Sequence, residues 1–159
     1  RPDGKTWFIS YTGLVYPASL SAGTKIEPAW SLQEAAGLER PPAGDAPFVK
    51  TWRPGGWHLS ALHYATGHLF VLMHQGTFWT HKQAGTEVWE LDVSTHKLIR
   101  RIPLRQPSMM VGVTQDASPL LFTGDKDGTF YVWNATTGKL LRQIHHLGDD
   151  LYYTVALGE

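Results

Sequence analysis

Cysteine is absent from this chain of 159 residues, and neither sign of charge predominates. Without cysteine, disulfide bonds and thiolate metal ligands are excluded, while the redox compartment stays open. Fourteen basic residues balance fourteen acidic ones, with no basic patch suited to nucleic acid and no charge run suited to a membrane surface. No apolar run approaches the roughly 20 residues of a membrane-spanning helix. We therefore expect neither nucleic-acid binding nor membrane insertion.

Aromatic residues are abundant instead, with seven Trp, six Tyr and six Phe. The chain is organised around the stretch from Trp52 to Leu104, where short β-branched and aromatic segments alternate with turn signals. Four strands are predicted, at about residues 57–63, 68–74, 86–93 and 97–104. Four consecutive antiparallel strands of this length form one sheet.

An internal repeat relates this sheet to the rest of the chain. Residues 87–102 overlie residues 129–144 at an offset of 42, which pairs Thr95 with Thr137 and Leu98 with Leu140. Residues 62–71 match residues 113–122 at an offset of 51, so the earlier unit has a nine-residue insertion between its second and third strands. A period in the forties with four strands in each unit is typical of β-propeller blades.

We predict an all-β fold, with about three four-stranded blades of a β-propeller and one short helix in a long loop. The predicted units are an incomplete blade at residues 1–30, a helix and Pro/Gly-rich loop at 31–56, blades at 57–104 and 108–147, and a ring-closing strand at 151–157. A β-sandwich with chance internal similarity is the alternative, but sandwiches seldom repeat at a fixed period. An open arc of three blades would leave apolar blade faces in water, so residues 1–159 alone are expected to aggregate or to melt without a sharp transition, and upstream blades are expected to rescue them.

The long connection between the first two units, from Ala22 to Gly56, carries two local signals. Ser31 and Glu34 form a capping box, which predicts a helix of about two turns that ends near Leu38. Arg53-Pro54-Gly55-Gly56 is predicted to form a tight turn, because Pro fixes φ and Gly supplies a positive φ.

Connections in an up-and-down sheet alternate between its two ends, so the long connection and the 75–85 insertion should share one end. Loops on a rigid scaffold are where binding residues concentrate, and large aromatic and Arg side chains carry much interface energy. The partner-binding candidates at this end are Trp52, Arg53, Trp57, Phe78, Trp79, His81 and Lys82. Trp52 and Trp57 could equally fill the groove between blades, whereas the candidates from the insertion are expected to be largely exposed.

No residue stands out as catalytic, cofactor-binding or metal-ligating. His58, His63 and His68 are five residues apart, and strands joined by a turn do not bring that spacing together. Glu90 and Asp92 share a strand face, but no partner acid is evident, so solvated or turn-capping roles are expected for the local carboxylates.

The chain resembles the heavy chain of the quinoprotein amine dehydrogenases, the methylamine and aromatic amine dehydrogenase family. The most specific element is Trp52-Arg53-Pro54-Gly55-Gly56-Trp57. Further matching segments are His81-Lys82, Val88–Asp92 leading into Thr95, Gln115-Asp116, Pro119–Leu121 and Leu147-Gly148. The resemblance covers essentially the whole chain and departs from the family at the Pro-rich stretch Pro41–Pro47.

This resemblance implies a seven-bladed propeller, of which the chain would be the C-terminal three blades or so. The family is periplasmic, and its heavy chain pairs with a disulfide-rich light chain as two copies of each. The light chain carries tryptophan tryptophylquinone, which takes electrons from a primary amine and passes them to a small copper protein. The best-known channel residue of the heavy chain lies outside this sequence, so no catalytic residue is carried over.

The alternative function is that of a propeller scaffold that binds partners without enzymatic activity, because a fold alone does not fix a function. A neighbouring gene for a small, Cys-rich and Trp-containing chain would favour the dehydrogenase. The sequence does not indicate which amine would be the substrate.

Overall fold

The computed structural model of the chain describes residues 5–19, 23–40 and 49–148, which form three antiparallel sheets in chain order. The first sheet contains β1 (Lys5–Ile9), β2 (Leu14–Ser19), β3 (Lys25–Ile26) and β4 (Trp30–Ser31). The second contains β5 (Thr51–Pro54), β6 (Ser60–His63), β7 (His68–Gly76), β8 (Gly85–Asp92) and β9 (Lys97–Ser108). The third contains β10 (Met110–Val113), β11 (Leu120–Gly124), β12 (Phe130–Asn134) and β13 (Leu140–Ile144). The all-β prediction is confirmed.

The 42-residue repeat is visible in structural detail. The β8–β9 pairing shifts register between Glu90 and Leu91, and the β12–β13 pairing shifts between Val132 and Trp133, the positions 42 residues later. Such irregularities bend a strand locally and recur where the same geometry is needed. The outer halves of the second and third sheets are therefore two copies of one unit.

Two hydrophobic clusters hold the sheets together, one in each space between neighbouring sheets. Successive residues of β7 point alternately into the two spaces, as the strand period of two requires. Val71 and Met73 join the cluster shared with the first sheet, whereas Phe70 and Leu72 join the cluster shared with the third. The second sheet is thus covered on both faces, with Trp89 and Val88 fully buried on opposite sides.

The inner edge of the second sheet differs from the prediction. The Arg53–Gly56 segment was predicted as a tight turn before a strand at 57–63, but β5 already pairs with the end of β7, and β6 pairs with its beginning. Between them the chain leaves the sheet, and the backbone N–H groups of Trp57 and His58 both donate to the Met109 carbonyl, at 2.8 and 3.1 Å. The tight-turn prediction was wrong because these backbone groups find their partner at Met109, the residue just before the third sheet.

The two glycines of this crossover have no room for a side chain. A Cβ at Gly55 would lie 2.3 Å from Nδ1 of His74, and one at Gly56 would lie 2.7 Å from the Met109 carbonyl oxygen. Gly56 also has a φ of +90°, as the sequence suggested, which side chains rarely tolerate. The crossover therefore depends on both glycines.

The first connection is shorter than predicted, because β3 and β4 both pair with β2 as successive parts of an outer strand. Helix α1 (Leu32–Ala35) follows, and the Glu34 N–H donates to the Ser31 hydroxyl at 3.3 Å, which confirms Ser31 as its N-cap. The helix ends before Leu38 because Gly37, at a φ of +70°, leaves the helical conformation.

Two predicted features lie outside the described residues: the Pro-rich stretch Pro41–Pro47 and the ring-closing strand at 151–157. Across the described ranges, no helix has the length and apolarity to cross a membrane.

Candidate partner-binding site

The insertion between β7 and β8 is a compact loop built on His74. A one-turn 3-10 helix, Phe78–Thr80, folds back so that Thr80 Oγ1 lies 2.8 Å from His74 Nε2. The Thr80 hydroxyl donates its own hydrogen to the Thr77 carbonyl at 2.9 Å, so it must accept from His74. His74 Nε2 therefore carries a proton, and the buried ring fixes the loop to the end of β7.

The insertion and the Trp-Arg-Pro-Gly-Gly-Trp segment lie at the same end of the sheets, as the alternation of connections requires. The Gly56 N–H donates to the Gln83 carbonyl at 2.7 Å, and Lys82 Nζ lies 5.4 Å from the centroid of the Trp57 ring. The turn between β1 and β2 reaches the same place, because the Tyr11 ring packs edge-on against Phe78 at 5.1 Å. We call this surface the insertion end; its residues are Tyr11, Arg53, Trp57, Phe78, Trp79, His81 and Lys82.

Exposure divides the residues of the insertion end into two groups. Trp79 is 68% exposed and Trp57 49%, and Lys82 is also exposed. Phe78 and His81 are half-buried, so the prediction that they would be largely exposed was wrong. The reason is Tyr11, whose ring packs against both.

Tyr11 was not among the sequence candidates. The signal that could have found it is its position in the turn before Gly13, because that turn must lie at the same end as the insertion. Gln33 ties this turn to the second sheet, since its Nε2 donates to the carbonyls of Thr12, at 3.0 Å, and Trp52, at 2.6 Å. The first sheet thus contributes directly to the site.

Trp52 fills the groove between blades, one of the two roles that the sequence left open for it. Its ring lies 5.4 Å from that of Trp89, and the Arg101 guanidinium lies over it at 4.4 Å. Arg101 is in turn held by Glu87 through two hydrogen bonds of 2.6 and 2.9 Å. Trp52 is therefore a packing residue here, whereas about half of the surface of Trp57 is exposed to solvent.

Arg53 is the unusual group of the site. It is only 2% exposed, and its Nε and Nη1 atoms are buried without a hydrogen-bond partner in the part of the chain that the structure describes. Burial lowers the pKa of Arg53 below its usual range, although a guanidinium stays protonated at neutral pH. Burial, and secondly the Arg53 charge, lower the pKa of its cross-strand neighbour His74, which is therefore neutral.

The carboxylates elsewhere in the second sheet have structural partners. Asp92 caps its turn, as expected, by accepting from the backbone N–H groups of Ser94 and Thr95 at 2.7 and 3.0 Å. Glu90 contradicts the expectation of a solvated carboxylate, because it is 1% exposed, lies within hydrogen-bond distance of His68 Nδ1, at 2.8 Å, and forms an ion pair with Arg100. Within the described ranges, no group of three or more His, Asp or Glu residues could hold a metal ion.

Solved structures identify the class of fold. The chain is similar to the WD40 repeats of RRP9, with a TM-score of 0.59 at 9% identity over 94% of this chain and 37% of that one. It is equally similar to Sqt1 from Saccharomyces cerevisiae, with a TM-score of 0.60 at 13% identity over 96% of this chain and 34% of that one. At such identities the likeness shows the fold alone: the three sheets are blades of a β-propeller.

The family follows from sequence comparison. A family model for the methylamine dehydrogenase heavy chain matches residues 3–156. The methylamine dehydrogenase heavy chain of Paracoccus versutus is 34% identical over 149 residues, which are 92% of this chain and 32% of that protein. The corresponding heavy chain of Methylobacillus flagellatus is 40% identical over 98 residues, which are 61% of this chain and 24% of that protein.

The chain belongs to the methylamine dehydrogenase heavy chain family. It spans about a quarter to a third of the length of the curated relatives that it matches. The resemblance inferred from the Trp-Arg-Pro-Gly-Gly-Trp segment is confirmed.

Proposed function

We propose that this chain is part of the heavy subunit of an amine dehydrogenase that oxidatively deaminates primary amines. The observation that carries the proposal is the family match over residues 3–156, which includes both the crossover at Gly55 and Gly56 and the insertion. Because the chain spans only part of its relatives, the activity belongs to the assembled enzyme.

The redox group of this proposal is tryptophan tryptophylquinone, carried by a light chain that pairs with the heavy chain as two copies of each. In the assembled enzyme that group would supply the oxidation of the amine, with a small copper protein of the periplasm as the electron acceptor. This chain contributes scaffold and contact surface to that assembly, and we assign none of its residues a catalytic role.

The insertion end is the surface that we assign to the light chain. Trp79, Trp57 and Tyr11 expose 68%, 49% and 40% of their surface there, and the cation of Lys82 lies beside the Trp57 ring. Large aromatic rings bury much area for few ordered bonds, which is why they dominate binding energy at interfaces. The loop that holds Trp79 is fixed to β7 by the His74–Thr80 hydrogen bond, so little order must be gained on docking.

The proposal is tested by producing the full-length heavy chain together with the product of a neighbouring gene for a small Cys-rich chain. We expect the two chains to purify together from the periplasmic fraction, with quinone absorbance and amine-dependent reduction of a dye. Methylamine and an aromatic amine would be compared as substrates.

Two results would overturn the proposal. One is that the organism has no gene for a small Cys-rich chain and that the heavy chain purifies from it without a small partner. The other is a co-purified pair that shows neither quinone absorbance nor amine-dependent reduction. Either result would favour the non-enzymatic propeller scaffold.

A further inference from the structure

We infer that Gln33 is a positioning residue for the insertion end. Its side-chain amide bonds the turn that carries Tyr11, in the first blade, to the first strand of the second blade, and so holds Tyr11 in place on the docking surface. The inference rests on the proposed function for the identity of the subunit that docks there. The positioning itself follows from contacts within the chain.

The first step is that the amide of Gln33 is buried and fully used. Gln33 is 1% exposed, and its Nε2 donates to the carbonyls of Thr12, at 3.0 Å, and Trp52, at 2.6 Å. Its Oε1 accepts from the Ser31 hydroxyl at 2.9 Å. Because a carbonyl oxygen can only accept, the amide nitrogen must face Thr12 and Trp52, and both of its hydrogens are engaged. A buried polar group with all of its bonds made is held rigidly.

The second step is that the turn of residues 10–13 is shaped around this amide. A Cβ at Gly13 would lie 2.4 Å from Gln33 Nε2, so a larger residue there would displace the amide. The Gly13 carbonyl also accepts from the Leu32 N–H at 2.8 Å. Two successive residues, Leu32 and Gln33, therefore hold the turn.

The third step is that the two carbonyls bonded by the amide lie beside the docking residues. Thr12 follows Tyr11, whose ring packs against Phe78 of the insertion at 5.1 Å. Trp52 pairs with β7 one residue before that strand ends and the insertion begins. The Gln33 amide therefore fixes the turn that carries Tyr11 relative to the strands that carry the insertion.

The fourth step is that apolar packing alone would not fix this arrangement. The first two blades share a hydrophobic cluster, and apolar contact is non-directional, whereas a hydrogen bond is directional. Tyr11 is 40% exposed, so its ring is not enclosed by the fold. Loss of the amide bonds should let the turn move while the blades stay packed. A docking surface that is ordered beforehand loses less entropy on binding, so the partner should bind more weakly when the turn moves.

The experiment uses the full-length heavy chain with Gln33→Met, which keeps the length of the side chain and removes its donors. Gln115→Met is the matched control. Gln115 ties the third blade to the second at the opposite end, because its Nε2 donates to the Leu62 carbonyl and its Oε1 accepts from the Tyr64 N–H, both at 2.9 Å. Ser31→Ala is a milder variant, because it removes the donor to Gln33 Oε1 and leaves the amide in place.

Two measurements are made on each variant. The position of Tyr11 is followed in the free heavy chain by fluorine NMR of a fluorotyrosine placed at residue 11. Affinity for the light chain is measured with Tyr11 present and in a Tyr11→Ala background, which completes a double-mutant cycle.

We expect Gln33→Met to shift the resonance of residue 11 towards that of an exposed fluorotyrosine and to weaken light-chain binding by about tenfold. In the Tyr11→Ala background the same substitution should weaken binding by less than about threefold, because the ring that it positions is gone. Ser31→Ala should show the same pattern at a smaller size, which keeps the test open if Gln33→Met does not fold. Gln115→Met should change neither the resonance nor the affinity, although it also lowers the melting temperature.

Equal losses of affinity in the two backgrounds would overturn the inference, because Gln33 would then act through general stability. An unchanged resonance at residue 11, or an unchanged affinity in Gln33→Met, would also overturn it. These three results leave the proposed function standing. If the unaltered heavy chain binds no light chain, the proposed function fails, and the docking role of Gln33 fails with it even where the resonance shifts.

Discussion

His96 stacks on Trp30, with ring centroids 4.8 Å apart and ring planes within 10° of parallel. The contact joins the turn after β8 in the second blade to the outer strand of the first. His96 makes it from a left-handed backbone conformation, with a φ of 55°, at the position where the third blade has Gly138, with a φ of 71°. The repeat thus places a side chain at a position where the corresponding turn of the third blade has a glycine. The His96 ring helps to bury Trp30.

Replacing His96 separates the cost of its backbone from the benefit of its ring. His96→Ala keeps the strained φ and loses the stacking, so we expect it to be less stable than His96→Gly by about 1 kcal/mol. Urea unfolding of the full-length heavy chain measures both variants. Gly138→Ala, which adds the same strain to the sister turn, is the control and should lose about as much. Equal stability of His96→Ala and His96→Gly would show that the turn relaxes.

Gly55→Ala should be among the most damaging small substitutions in the chain. Its Cβ would lie 2.3 Å from His74 Nδ1 and 2.5 Å from the Gln83 backbone carbonyl, so both the insertion and β7 must shift. We expect a loss of about 1–3 kcal/mol, the usual range for overpacking. Gly37→Ala is the control, because a Cβ there meets nothing within 4 Å although its φ is +70°. A smaller loss in Gly55→Ala than in Gly37→Ala would contradict the crowding at the crossover.

The blades were predictable because their signals are local and repeated. Alternating apolar residues and turn dipeptides recur at 42 residues, and each copy confirms the other. The crossover was not predictable in this way, because Pro54 and Gly55 resemble a turn in any short window. Only the bonds from Trp57 to Met109 and from Gly56 to Gln83, far away in the chain, reveal its true course.

The partners of Glu90 depend on the register between neighbouring strands. Its burial follows from Arg100, which lies directly opposite on β9, and from His68 at the start of β7. The predicted strands contained all three residues, but charge alone favoured a solvated carboxylate. The burial of Arg53, whose Nε and Nη1 have no hydrogen-bond partner among the described residues, was still harder to predict, because it depends on long-range packing at the end of the strand.

The lowered pKa of Asp92 predicts that the stability of the folded chain decreases at low pH. Hydrogen bonds, first from the Ser94 hydroxyl and then from the Thr95 backbone, lower the pKa of Asp92 from 3.8 to about 2. A carboxyl whose pKa is lower in the folded state stabilises the fold above its unfolded pKa and loses that effect as the pH falls through the folded value. The stability advantage of the native chain over Asp92→Asn should therefore shrink between about pH 4 and pH 2. Urea midpoints of the two proteins, compared at pH 6 and pH 2.5, would measure it, and a constant difference would contradict the turn-capping role.

Trp79 should matter for docking and not for folding. Its ring is 68% exposed and rests edge-on against Phe78 at 4.8 Å. Trp79→Ala should therefore change the unfolding free energy of the free heavy chain by less than about 0.5 kcal/mol, as is usual for exposed positions. Trp89→Ala, at a fully buried ring in the core between the first two blades, should lose about 3–5 kcal/mol.

The effect of Trp79→Ala on binding should be much larger than its effect on folding. We expect Trp79→Ala to weaken light-chain binding by about tenfold or more, because an exposed Trp at an interface is a common source of binding energy. The affinity would be measured by titration of folded heavy chain with light chain, with the fold checked first by circular dichroism. If Trp79→Ala binds as tightly as the native chain, the insertion is a structural cover for Arg53 and His74, and the light chain must contact another part of the propeller.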